Sequence, residues 1–392
     1  MAYDFDTMVE RRGTGCSKWD GMDAVFGKKD LLPFWVADMD FRSAPEIIDA
    51  LREKVAFGVF GYPIMTEAAR KAVVDWEFER HQWCVVPSEV DFVPGVVNGL
   101  IAAILAFTEP GDGVVVQTPV YPPFFNVIRD NGRRIVENPL VETDDGYLMD
   151  LDHLRNVLTP DVKAIILCSP HNPVARVWTK DELAAFAKVC IERNVLVFCD
   201  EIHQDLVYSD AKHVPLSLAA PEIDPLLLTL VAPSKTFNIA GLSSSAWIAK
   251  DKKIAERMRA TLDRLHQSRL NLLGVAALEA AYTKGIPWLE AAMRYLEGNR
   301  DFVEAFLREK LPRVRMKHPE GTFIFWLDFR DYGMTGAEIQ RVLVHEAGVA
   351  LNAGVTFGKQ GEGFARLNVG CPRGQLEEGM TRIAAAFEKY GK

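Results

Sequence analysis

Four polar side chains in this sequence stand where short apolar runs end, and a fifth lies inside one. Lys235 follows Leu226–Ala232, a run whose length and β-branched content read as a buried strand. An ammonium at a strand end is partly desolvated, which lowers its pKa, raises the fraction of free amine and suits it to Schiff-base chemistry. A solvated surface lysine is the competing reading. Asp200 comes directly after Val195–Cys199 and must be paired or hydrogen-bonded if buried; a protonated ring nitrogen would pair it, and a plain helix N-cap is the alternative. Asn172, in Ser169-Pro-His-Asn-Pro173, carries an amide that can donate to two acceptors, although Asn-Pro is also a common turn former. Tyr121, held between prolines in Thr118-Pro-Val-Tyr-Pro-Pro123, offers a ring for stacking on a planar group, or is part of a rigid loop. Arg366 sits within Phe364–Val369, where its planar fork fits a carboxylate unless an internal ion pair takes it.

A phosphate has an obvious seat among them. Pro94-Gly95-Val96-Val97 follows a strand and opens a helix, so the backbone N–H groups of Val96 and Val97 form an anion cradle, to which Ser234 can add a hydroxyl. An amine, a carboxylate, a ring-stacking aromatic and an anion site are the parts that a pyridoxal phosphate (PLP) site requires. The eight histidines show no metal-ligand spacing, and there is no GxSxG elbow, P-loop or GxGxxG after a strand, so no metal site is expected.

The elements that must position these groups alternate from about residue 90 to 250. Strand-like runs at Val90–Val93, Val114–Gln117, Ala164–Cys168, Val195–Cys199, Leu226–Val231 and Ala246–Ala249 are separated mostly by helical segments. That pattern predicts an α/β fold whose mainly parallel sheet is covered on both faces and binds ligands at the carboxyl ends of its strands. Residues 44–284 are expected to form this large domain. Residues 1–43, an arm with a short apolar strand ending near Phe41, join residues 285–392 in a smaller α+β domain. There, strands are expected at Phe323–Leu327 and Phe364–Val369 around a long helix near Trp288–Leu311.

Bulk composition bounds the rest. A 392-residue chain with 48% hydrophobic and 25% charged residues reads as an ordinary two-domain soluble protein. Its net charge of -9 argues against nucleic acid or an anionic membrane as partner. The six cysteines lack CxxC pairing and the N-terminal Met1–Asp6 is acidic, which points to free thiols, no signal peptide and a cytoplasmic location.

Taken together, Arg11-Arg-Gly-Thr14, Trp35–Phe41, Gly61-Tyr-Pro63, Gln117–Phe125, Pro170-His-Asn-Pro173, Asp200-Glu-Ile-His203, Ala232–Asn238, Gly321-Thr-Phe323 and Arg366-Leu-Asn368 resemble fold-type I PLP enzymes of the class I/II aminotransferase superfamily. Within it, the resemblance is to the MalY/PatB-type cystathionine β-lyases, nearly end to end. It implies an aspartate aminotransferase-like fold in which Lys235 holds PLP as a Schiff base and Asp200 meets the pyridine nitrogen. Asn172 would contact the phenolic oxygen and the substrate, Tyr121 would stack on the ring and share the proton handling of catalysis with Lys235, and Val96, Val97 and Ser234 would bind the phosphate. Val36, Ala37 and Arg366 would take the substrate carboxylate. Tyr62 would reach the phosphate of a neighbouring subunit, which implies a homodimer. His203 stands where many aminotransferases place tyrosine, and its role is left open. Ala175 replaces the family's usual glycine, so the turn that aims Asn172 is expected to differ. Ser243 replaces a phosphate-binding arginine of aspartate aminotransferases. The implied activity is α,β-elimination from cystathionine or cysteine-type thioethers; an aminotransferase, or a regulatory protein on the same fold, are the alternatives.

Overall fold

The structure, a computed structural model, describes residues 3–390. Met1, Ala2, Gly391 and Lys392, which fall in the N-terminal stretch and at the ends of two expected domain ranges, lie outside the described residues. Seven strands form the large sheet: β1 (Val90–Val93), β2 (Gly113–Val116), β3 (Arg134–Glu137), β4 (Val162–Cys168), β5 (Leu196–Asp200), β6 (Leu227–Val231) and β7 (Ser245–Ile248). Their spatial order is β1-β7-β6-β5-β4-β2-β3, and only β7 runs antiparallel to its neighbours. The alternation along each strand explains the unbroken apolar runs. Val114, Val116, Ala164 and Ile166 face one core, packed with helices Val96–Phe107 and Lys252–Arg264, while Val115, Ile165 and Leu167 face the other, packed with helix Lys180–Arg193. That last helix starts at a capping box, Thr179 with Glu182, and stops at Asn194 in a left-handed conformation.

β6 and β7 are joined by residues 232–244, which hold only a one-turn helix and a 3₁₀ turn, and the chain doubles back to run antiparallel. This segment carries Lys235, in the one-turn helix Pro233–Thr236 just beyond the end of β6.

A second sheet of four strands, β8 (Arg315–Met316), β9 (Ile324–Asp328), β10 (Asn352–Ala353) and β11 (Phe364–Asn368), is antiparallel and carries Arg366. The N-terminal arm joins the C-terminal part through a parallel pair, Leu32–Pro33 against Val349–Ala350. Beyond Pro33 the expected strand does not continue, because residues 35–41 have no neighbouring strand and satisfy most of their backbone groups with side chains instead. All six cysteines are free, Cys168, Cys190, Cys199 and Cys371 among the buried. No described helix is long and apolar enough to cross a membrane.

Candidate active site

The strand directions bring the chemistry to one edge. Gly95 follows β1, Tyr121 follows β2, Asn172 follows β4, Asp200 ends β5 and Lys235 follows β6, so all five lie at the carboxyl ends of parallel strands. There they enclose a cavity of about 190 Å³, which Ala37, Val96, Val97, His203 and Ser234 also line. A wider cleft of about 1240 Å³ shares only the back of the Asn172 turn, Val174 and Ala175, and contains none of the expected site residues.

Lys235 donates from Nζ to the Ala37 carbonyl at 2.6 Å. It keeps part of its surface open, yet it sits deep among protein atoms, and this desolvation lowers its pKa to about 8. Arg366 works in the same direction, while Asp38 and Asp200 oppose it. Asp200 is 4% exposed, and burial pushes its carboxyl up to about 7, although its Oδ1 accepts the Ile202 N–H at 3.1 Å. A cationic N–H meeting this carboxyl would hold it charged at neutral pH. Burial likewise raises the Tyr121 phenol, with Arg366 working against it. His203 is buried and held neutral, its pKa lowered to about 3 by burial and by the nearby cations Lys235 and Arg366, and its Nδ1 has no partner.

Gly95 opens the 12-residue helix Val96–Phe107 at φ 105°, a conformation that a side chain would strain, and its N–H is tied to Ser245 Oγ at 2.9 Å. The following N–H groups of Val96 and Val97 stand at the positive end of the helix dipole and face the cavity wall. Arg366 reaches the site from β11. Its Nη1 donates to Asn172 Oδ1 at 3.3 Å, and its Nη2 to the Trp35 carbonyl at 2.7 Å and to Asn352 Oδ1 at 2.8 Å. Its Nε is buried without a partner, and burial lowers its pKa to about 10. No carboxylate meets this guanidinium, so the internal ion pair considered from the sequence does not form among the described residues. Because the Asn172 oxygen accepts from Arg366, its NH₂ is left to donate elsewhere.

Three sequence expectations are placed differently. Arg366 and Val36 do not line the cavity themselves; Arg366 contacts its wall, and Val36 is held through its carbonyl by Asn368 Nδ2 at 2.5 Å. Tyr62, expected to serve a neighbouring subunit, is 99% exposed on its own chain and does not line the cavity. The Asn172 turn does not adapt to Ala175: this residue takes φ 58° despite its Cβ, with its N–H on the His171 carbonyl at 2.9 Å. A left-handed alanine costs about 1–2 kcal/mol. Ala175→Gly should therefore stabilise the protein by about 0.5–1 kcal/mol after the extra unfolded-state entropy is subtracted, read as a higher denaturation midpoint in urea; a lower midpoint would show that the Cβ packs more than it strains.

Residues missed by the sequence reading include Asn352, Asn368 and Asn238. Asn368 had a signal, since two residues after Arg366 on a strand means the same face. Asn352 had none, because it meets Arg366 only through strand register.

The deep buried amine, the carboxyl awaiting a cation, the helix-start cradle and the unpartnered His203 and Arg366 nitrogens fit a flat phosphate-bearing aldehyde together with an amino-acid carboxylate. Comparison with known proteins agrees. Residues 29–383 match the family described as aminotransferase class I and II. Cystathionine beta-lyase PatB of Bacillus subtilis is 44% identical over 385 residues, covering 98% of this chain and 100% of that protein. Two solved structures superpose with a TM-score of 0.96: a PLP-bound putative aminotransferase from Clostridium difficile (39% identity; 98% of this chain, 99% of that one) and cystalysin from Treponema denticola, which contains PLP (34%; 99% and 100%). The chain thus belongs to the class I and II aminotransferase family, in its MalY/PatB-type branch.

Proposed function

We propose that this PLP-dependent enzyme is a carbon–sulfur lyase that converts cystathionine or related cysteine thioethers to pyruvate, ammonia and a thiol. The observation that carries the reading is the convergence of Lys235, Asp200, Asn172 and Tyr121 on one cavity with Arg366 at its wall, in a chain so similar to a cystathionine β-lyase. PLP, when bound, supplies the electron sink for the pair left at Cα when its proton departs. Lys235 anchors it and, once freed, its amine takes the Cα proton. Asp200 would keep a proton on the ring nitrogen, Val96, Val97 and Ser234 would hold the phosphate, and Tyr121 would cover the ring. Arg366 and the Val36–Ala37 backbone orient the substrate's α-carboxylate, with Asn172 between cofactor and substrate. The Cβ–S bond then breaks with its electrons on sulfur, which leaves as the thiol after protonation, and the released aminoacrylate takes up one water to give pyruvate and ammonia. His203 stays a neutral neighbour of the ring.

The test is to supply the purified protein with L-cystathionine and no keto acid. Pyruvate and free thiol in equal amounts are expected. Conversion that requires a keto acid, with no pyruvate from cystathionine, would select an aminotransferase instead.

The same reading includes a homodimer. Phe57, Val59, Phe60, Tyr62 and Ile64 are 63–99% exposed along one short stretch, an apolar surface that a second copy would cover while placing Tyr62 at its phosphate. Phe60→Asp should convert a species of twice the chain mass in sedimentation to one of single mass and remove most activity. An unchanged mass would move the interface elsewhere.

A further inference from the structure

The ribbon Trp35–Phe41 pairs with no strand and is hung mostly from side chains, with one main-chain bond from the Asp40 N–H to the Gly370 carbonyl at 2.7 Å. Arg366 Nη2 donates to the Trp35 carbonyl at 2.7 Å, and Asn368 Nδ2 donates to the carbonyls of Val36 (2.5 Å) and Asp38 (2.7 Å). Arg11 Nη1 and Asn238 Nδ2 donate to Met39 at 3.2 and 2.8 Å, and Asn238 Nδ2 also donates to Phe41 at 2.8 Å. Between these tethers, the Ala37 carbonyl receives Lys235 Nζ.

Asn238 is the tether with a foot in both places. It lies three residues beyond Lys235, locked to the lysine turn by the Ile239 N–H on Ser234 O at 3.0 Å, and it takes φ 55°, which asparagine tolerates. Its Oδ1 accepts the Met39 N–H at 2.9 Å while its Nδ2 returns two bonds, so one side-chain amide pairs with the ribbon as a neighbouring strand would. No other side chain substitutes for it. Aspartate keeps the acceptor but would set a charge against two carbonyls, glutamine is one methylene too long for the same three bonds, and alanine has neither group.

We infer that Asn238 is a positioning residue that fixes the Ala37 carbonyl opposite Lys235, so that this carbonyl holds and orients the amine whenever it is not joined to the cofactor. The inference rests on the reading of Lys235 given above. A carbonyl at 2.6 Å stabilises the protonated amine over the neutral one and keeps the freed side chain from swinging away.

The test uses the PLP-free protein. Pyridoxal phosphate is added over a range of pH, and the early rate of borohydride-fixable adduct at Lys235 is followed in wild type, Asn238→Ala and Asn238→Asp. Wild type should give a midpoint near pH 8. Loosening the ribbon removes an acceptor from the ammonium, so the Asn238→Ala midpoint should fall by about one pH unit, with kcat of the reloaded enzyme lowered about tenfold and the final amount of adduct unchanged. Asn238→Asp should not restore kcat. If Asn238→Ala fails to fold, Asn368→Ala, which frees the Val36 and Asp38 carbonyls on either side of Ala37, should show the same shift. An unchanged midpoint and kcat, with only thermal stability reduced, would overturn the inference. Absence of any adduct in wild type would instead overturn the assignment of Lys235 itself.

Discussion

Lys235→Ala is expected to lower pyruvate formation from cystathionine by about 10⁴-fold or more, because one side chain supplies both the covalent anchor and the base. The protein should still fold. The substitution removes a desolvated amine and leaves the Ala37 carbonyl without its donor, two effects of opposite sign, so the denaturation midpoint should move little. Three measurements separate this outcome from simple unfolding: the far-UV spectrum should be retained, the borohydride-fixable adduct should be lost, and small primary amines should return a minor part of the rate. The pH profile adds a sign. With the amine at about 8, the base form is already appreciable near neutrality, and the rate of cofactor capture should rise through that pH and level off above it. A lysine at its ordinary value would give a profile rising two to three units later. Retention of more than a tenth of wild-type activity would remove Lys235 from the chemistry.

The sheet was legible in the sequence because burial on both faces leaves an unmistakable mark. Val114-Val-Val116 and Ala164–Cys168 can be read only as strands covered twice, and the residues that follow them therefore had to share one edge. Arg134–Glu137 escaped because it is the sheet's last strand, with Arg134 exposed, the other three only half-buried and no apolar run to show for it. The Trp35–Phe41 ribbon failed in the opposite way. It is apolar and reads as a strand, but its partners are the side chains of Asn238, Arg366 and Asn368; the spacing of 366 and 368 puts them on one strand face, yet nothing local says that this face meets the ribbon. Ala175 shows a third limit: the sequence placed a Cβ where a left-handed turn is needed, and the bonds on either side, to His171 and from Glu320, hold the turn regardless.

Asp200→Asn is expected to separate stability from activity. The carboxyl of Asp200 lies at about 7 against an ordinary value near 4, raised by burial, so without the cofactor the folded state holds this proton to higher pH than the unfolded state does. Stability from this group is thus complete below about pH 4 and is lost as pH rises toward 7, after which it stays flat. Asparagine keeps the oxygen that accepts the Ile202 N–H and carries no charge to desolvate. The PLP-free variant should therefore match wild type in urea near pH 4.5 and exceed it at pH 8, by an amount on the order of a few kcal/mol. Activity should move the other way. An amide cannot supply the negative charge that keeps a proton on the ring nitrogen, so the sink for the Cα electron pair weakens and kcat/KM should fall about 10²–10³-fold, with Lys235 still forming its adduct. A variant that lost stability along with activity would make Asp200 a structural cap. One that gained stability and kept its rate would show that the ring nitrogen needs no partner here.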